Sequence, residues 1–501
     1  MRTQLWTRRQ WLQAAGMTLA ASALHAQDRG GNARADRAEG RHRSDGTVEH
    51  LGIPYAQPPV GPLRFRAPVP VRKRAPALGH LPSPAMQPGR EGVSEDCLYL
   101  NVYAPNPNTP GAETFPVFVW IHGGGFTGGS PNDFDGGVFA KQGIVVVTVA
   151  YRLGVFGFLD WSPLLGAEYA DSANNALRDL VCALQWVKKH VGAYGGDPSR
   201  VTIGGESAGA KLVGSLMGIE EAKPLFQSMI SESGGGERIL EPTAAPHVTD
   251  AFAAQLKDRT PAGIQAASGE SLIAAQLAMT DVWPANFPLR AEAGGALLPH
   301  RSVPAIAAGN TRGKRLLIGT NRDENALYLG KHAAEPITQK RLGNTTEAQF
   351  NAILASYRKI YPDMSPADIN IRALTAEEYW VPSIRVAQAH AKGGGSTWFY
   401  RLDETAVAGP HKGESYHSYD LGFVWQKLSA EEPPAAQNLS RQMHDAWVTF
   451  IQGRAPAATG LPAWPKWTPE KRSTMLFNGT STVEQRPFEA ELRLWDGIRF
   501  D

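Results

Sequence analysis

Short, unbroken apolar runs recur along the chain, separated by stretches with helical spacing. Phe115–Ile121 and Ile144–Ala150 are continuous rather than alternating, which predicts strands covered on both faces. Similar runs fall at Arg200–Ile203, Met229–Ile230, Arg315–Ile318 and Thr397–Tyr400. Between two of them the spacing predicts a helix over about 174–191, with Leu177, Leu180, Val181, Leu184, Val187 and Val191 on one face. Strands alternating with helices imply an α/β fold with a mostly parallel central sheet flanked by helices. Residues 241–286 and 333–391 are Ala-rich and helical in pattern, and read as insertions over the sheet rather than separate domains. No internal repeat is found.

The N-terminus reads differently. Arg2, Arg8 and Arg9 precede a mildly apolar stretch, Trp11–Ala21, then small residues ending at Ala26, then the polar Gln27-Asp28-Arg29. Basic, apolar, small, polar is the order of a secretory signal. The apolar run falls short of the ~20 residues that a spanning helix needs. Thr7-Arg8-Arg9-Gln10-Trp11-Leu12-Gln13 also resembles a twin-arginine export motif, with Trp11 where Phe is usual. Residues 1–26 are therefore expected to be a signal peptide cleaved after Ala23 or Ala26. Residues 27–45 read as a loose lead-in, and 46–501 as a single domain. No later segment is apolar for long enough to anchor the chain, so an exported, periplasmic or secreted product is expected.

Composition removes several alternatives. A chain of 501 residues with 42% hydrophobic content can bury a large core. Fifty Lys+Arg against 48 Asp+Glu give +2, and removing the three arginines of 1–26 makes it −1, so no nucleic-acid partner is expected. Two cysteines cannot form a disulfide framework or a Cys-based zinc site.

The candidate chemistry starts at Gly205-Glu206-Ser207-Ala208-Gly209, which follows Val201-Thr202-Ile203 and precedes Ala210-Lys211-Leu212-Val213. A serine on a sharp strand-to-helix turn sits in a strained backbone, and bulk beside it would clash with strand or helix. A hydroxyl nucleophile also needs a base, an orienting acid and an anion-stabilising pocket. The pocket candidate is His122-Gly123-Gly124-Gly125-Phe126, directly after the Phe115–Ile121 run. There, backbone N–H groups can face a developing oxyanion, worth roughly 3 kcal/mol per donor. Nothing here opens a helix in the way a nucleotide-binding glycine pattern does.

With these motifs in place, the chain resembles the type-B carboxylesterase family, the cholinesterase-like branch of the α/β-hydrolases. The resemblance runs from about Gly46 to the C-terminus. Besides the serine turn it rests on Gly52–Gly61, Ser94–Val102, Tyr151-Arg152-Leu153-Gly154 and Gly195-Gly196-Asp197-Pro198. It implies an α/β-hydrolase fold with helical insertions over the active site, a small-molecule ester substrate, and no cofactor or metal.

The family order of serine, acid, histidine places the acid in Ile318-Gly319-Thr320-Asn321-Arg322-Asp323-Glu324, at Glu324, with adjacent Asp323 as the alternative. Asn325 stands where the family usually has Gly. The histidine falls at His417, in Tyr416–Trp425, while nearby His411 reads as a solvated side chain. The resemblance implies two-step acyl transfer: Ser207 attacks, His417 moves the proton and Glu324 orients His417. The N–H groups of Gly124, Gly125 and Ala208 hold the oxyanion. Glu206 and Ser233 match positions of the family that support these groups. Family members often bridge the position of Cys97 to an upstream cysteine, but Met86 stands there, so no disulfide is expected. The segment between Met86 and Cys97 has no aromatic, which argues against choline esters. No long apolar lid suggests a triacylglycerol lipase. An amidase or lactonase using the same three groups, and a non-catalytic binding module on the same fold, are the alternatives; a monomer is expected.

Overall fold

The computed structural model describes residues 40–106, 114–236, 238–498 and 500, so the expected signal peptide lies outside the described residues. Among them, eleven strands build one sheet. They are β1 (Arg41–His42), β2 (Val48–Pro54), β3 (Tyr99–Ala104), β4 (Phe115–Ile121), β5 (Val145–Val149), β6 (Gly196–Glu206), β7 (Ser228–Glu232), β8 (Arg315–Asn321), β9 (Ser396–Leu402), β10 (Thr474–Phe477) and β11 (Thr482–Glu484). Their order across the sheet is β1-β2-β3-β5-β4-β6-β7-β8-β9-β10-β11. From β5 to β10 every pairing is parallel, and both edges are finished by antiparallel strands. The expected lead-in is ordered at its end: β1 pairs with β2, and Arg43 bonds to Glu49 at 2.9 Å.

The continuous apolar runs are explained by burial on both faces. In β4, Val117, Val119 and Ile121 enter one core, whereas Phe118 and Trp120 enter the other. The first core receives α1 (Asn175–His190), with Leu177, Leu180, Leu184 and Val187, and α2 (Ala208–Gly218), with Leu212, Val213 and Leu216. On the second face α3 (Pro434–Ile451) packs Met443, Trp447 and Phe450 beside Trp425. Trp425 is fully buried, with ring contacts to Phe118, Trp120, Phe134 and Phe139 at 5.0 to 6.3 Å. Losing such a side chain costs about 3–5 kcal/mol.

Inside α1, Asp179 is fully buried and takes a two-pronged contact from Arg152, at 2.9 and 2.7 Å. That pair ties the Tyr151–Gly154 stretch to α1. Cys97 and Cys182 are buried free thiols. The two expected insertions are helical. One holds Ala245–Ala253, Pro261–Ala266 and Gly269–Val282. The other holds Glu347–Ile360, Pro366–Thr375, a π-helical turn at Ala376–Trp380, and Val381–Lys392. Among the described residues no helix is long and apolar enough to cross a membrane.

The C-terminal ends of β4, β6, β8 and β9 lead into the loops carrying Gly123–Gly125, Ser207, Glu324 and His417 respectively. In open parallel sheets this edge is where ligands bind.

Candidate active site

Ser207 joins β6 to α2 with φ 56° and ψ −124°, a region that L-residues rarely enter. Its flanks must be bare. A Cβ on Gly209 would fall 2.0 Å from the Ile121 carbonyl oxygen, and one on Gly205 2.6 Å from the Gly209 carbonyl carbon. The Ser207 N–H donates to the Glu232 carbonyl at 2.9 Å, fixing the turn to β7.

The glycine loop after β4 is as tightly constrained. Gly124 has φ 113°, and a Cβ there would lie 2.2 Å from the Gly128 carbonyl oxygen. The Tyr151 hydroxyl holds the loop's entrance by donating to the His122 carbonyl at 2.7 Å. Among the described residues, the N–H groups of Gly124, Gly125 and Ala208 donate to no protein acceptor.

His417 Nε2 lies 2.8 Å from Ser207 Oγ, and Nδ1 lies 2.6 Å from Glu324 Oε2. A carboxylate can only accept, so Nδ1 carries the proton and Nε2 is free to accept from the serine hydroxyl. The other Glu324 oxygen accepts from Ser233 Oγ at 2.5 Å and from the Asn321 N–H at 2.7 Å. All three residues are buried. Asp323 faces elsewhere: it pairs with Arg322 and accepts the Ser415 N–H at 2.9 Å. His411 pairs with Glu414.

Glu206 supplies a second carboxylate. Its Oε1 accepts from Ser418 Oγ at 2.6 Å and stands 3.2 Å from His417 Nε2. Burial pulls the His417 pKa down, but Glu206 and Glu324 outweigh it and hold the imidazole above its ordinary value. Two deeper carboxylates lie behind. Burial pushes Asp420 up to about 7 and Glu232 well above the usual carboxylate range. Asp420 accepts from the Tyr400 hydroxyl and Glu232 from Trp447 Nε1.

The arrangement provides a hydroxyl next to a base, a buried acid behind the base, and free N–H donors opposite: the parts for acyl transfer. Residues 34–495 match the carboxylesterase family model. The chain belongs to the carboxylesterase family. It is a carboxylic-ester hydrolase with an α/β-hydrolase fold. Among its relatives, the para-nitrobenzyl esterase of Bacillus subtilis (strain 168) is 34% identical, covering 90% of this chain and 94% of that protein. The fumonisin B1 esterase of Sphingopyxis macrogoltabida is 31% identical, over 88% and 86%. The solved Geobacillus stearothermophilus carboxylesterase EST55 superposes with a TM-score of 0.80 at 30% identity, covering 91% of this chain and 98% of that one.

Several neighbours of the site were not singled out in the sequence. The Tyr379 and Tyr328 rings stand 4.7 and 5.4 Å from the His417 ring. Tyr379 comes from the π-helical turn, for which the sequence holds no clear mark. Lys211, one turn along α2 from Ser207, was visible as the one charge in an apolar helix.

Proposed function

We propose that this carboxylesterase works by two-step acyl transfer through Ser207, His417 and Glu324. The observation that carries the proposal is the unbroken chain of contacts from Ser207 Oγ through both imidazole nitrogens to Glu324. Ser207 attacks the ester carbonyl while His417 Nε2 takes its proton. The N–H groups of Gly124, Gly125 and Ala208 receive the oxyanion, and Glu324, braced by Ser233 and Asn321, stabilises the imidazolium. The alcohol leaves with the proton from His417. Water then attacks the acyl-enzyme by the same route and releases the acid. Glu206 adds its charge on the Nε2 side.

The test is hydrolysis of para-nitrophenyl esters of increasing acyl length by the wild type and Ser207→Ala. Turnover should vanish in the variant, and full activity there would remove the nucleophile. We also propose that residues 1–26 deliver the 46–501 domain out of the cytoplasm by the twin-arginine route. That reading rests on the order of basic, apolar and small residues. Unchanged export after replacing Arg8 and Arg9 by lysine would refute it.

A further inference from the structure

Lys211 lies one helical turn beyond Ser207, to whose carbonyl its N–H donates at 3.0 Å. The residue is 6% exposed, the one charge in a helix otherwise built of small and apolar residues. Its Nζ sits 4.3 Å over the Tyr379 ring, which in turn stands 4.7 Å from the His417 ring. Among the described residues it has no ion-pair or hydrogen-bond partner. Burial pulls its pKa down to about 8, with Glu378 opposing the fall and Arg238 adding to it.

Arg238 follows β7, and its side chain is 1% exposed. One nitrogen lies 3.1 Å from Glu378 Oε1. Its Nε and Nη1 have no hydrogen-bond partner among the described residues. The guanidinium lies 5.4 Å from the Phe287 ring centroid, and that ring is what a Cβ on Gly125 would meet, at 2.9 Å. Tyr379 thus stands between Lys211 and His417, and Phe287 between Arg238 and the glycine loop.

The nearest carboxylates leave much of these cations' hydrogen-bonding capacity unused. Glu377 Oε1 is committed to the N–H groups of Gly343, Asn344 and Thr345, at 2.7 to 3.2 Å. Glu378 is engaged by Arg238. Arg290, with Nε and Nη1 also unpartnered among the described residues, is pushed down to about 9 by burial and by Arg238. Glu206 and Glu324 also act on Lys211, yet Nε and Nη1 of both Arg238 and Arg290 are left without a hydrogen-bond partner among the described residues. Holding a buried ammonium and guanidinium without full pairing is costly, and a carboxylate arriving with the substrate would offset that cost. Guanidinium and ammonium groups both make charge-assisted bonds to carboxylates.

We infer that Lys211 and Arg238 form an anion subsite, and that the preferred ester carries a free carboxylate besides its scissile bond. This rests on the Ser207 mechanism proposed above. The carboxylate can sit on the acid half or the alcohol half, and two substrate pairs separate these. Monomethyl adipate against methyl hexanoate places the charge on the acid half; 4-acetoxybenzoate against phenyl acetate places it on the alcohol half. In one pair the charged ester should have kcat/KM at least about ten-fold higher, chiefly through KM, with the advantage shrinking as salt is raised. Lys211→Met and Arg238→Met should each cut the charged-to-neutral ratio about ten-fold, and Lys211→Arg should keep it. A measurement on the wild type avoids dependence on variants that fail to fold: adipate should inhibit methyl hexanoate turnover more tightly than hexanoate does if the acid-half pair shows the preference, and 4-hydroxybenzoate more tightly than phenol if the alcohol-half pair does. Ratios at or below one in both pairs, or an inhibitor with the added carboxylate no better than its counterpart on the half that shows the preference, overturn the inference. If neutral esters are still cleaved in a Ser207-dependent way, the mechanism stands without it. Activity surviving in Ser207→Ala would instead sink the mechanism.

Discussion

Replacing Glu206 by glutamine removes a charge 3.2 Å from the nitrogen that must take the serine's proton. At that distance, an effective dielectric of about 20 gives roughly 5 kcal/mol of attraction between carboxylate and imidazolium. Part of this is offset, because burial raises the pKa of Glu206 itself. We therefore expect His417 to fall by at least about one pH unit, equivalent to about 1.4 kcal/mol. His417 acts as a base only when neutral, so activity is lost as pH falls through its pKa. In the wild type that pKa is raised, so the acidic limb lies above the ordinary histidine value. In Glu206→Gln the limb should move to lower pH. Plateau turnover should also drop about ten-fold, since the imidazolium loses one of its two carboxylates. The assay is kcat/KM for para-nitrophenyl acetate from about pH 5 to about pH 9, where the acidic limb reports the free enzyme. An unmoved limb, or one displaced upward, would refute a charged Glu206 acting on His417.

Glu324→Gln should lower kcat by about three to four orders of magnitude, through loss of the tautomer and of the charge behind it. Asp323→Asn, which touches Arg322 and Ser415 rather than His417, should leave turnover within a few-fold, and the reverse pattern would move the acid by one residue. Gly209→Ala places a methyl 2.0 Å from the Ile121 carbonyl oxygen, so the serine turn must shift. A displacement of about 1 Å costs on the order of a hundred-fold in rate, and kinetics beside a circular dichroism melt would separate this from unfolding.

How much of this was legible depends on whether the cause is local. β4 matches its apolar run, Phe115–Ile121, because both faces are buried and no polar residue interrupts it. The run Arg200–Ile203 marks only the centre of β6, which extends from Gly196 to Glu206 because β4 pairs along it. β2 contains Glu49 and His50 and lacks the continuous signature, though burial covers both. Helix α1 was readable from spacing, but Asp179 in its middle was not, since its reason is Arg152 in another loop. At the site, Ser207 and the glycine loop sit in short motifs whose steric needs are written in adjacent residues, whereas Glu324 and His417 follow from the family resemblance. Tyr379, Arg238 and the carboxylates behind His417 converge only through tertiary packing, and no spacing along the chain announces them.

The most direct measurement is covalent labelling of the full-length protein with a serine-reactive fluorophosphonate, followed by peptide mass spectrometry. A single adduct is expected on the peptide containing Ser207, absent from Ser207→Ala and formed orders of magnitude more slowly in His417→Ala. An adduct on another residue, or labelling indifferent to His417, would contradict the Ser207 mechanism.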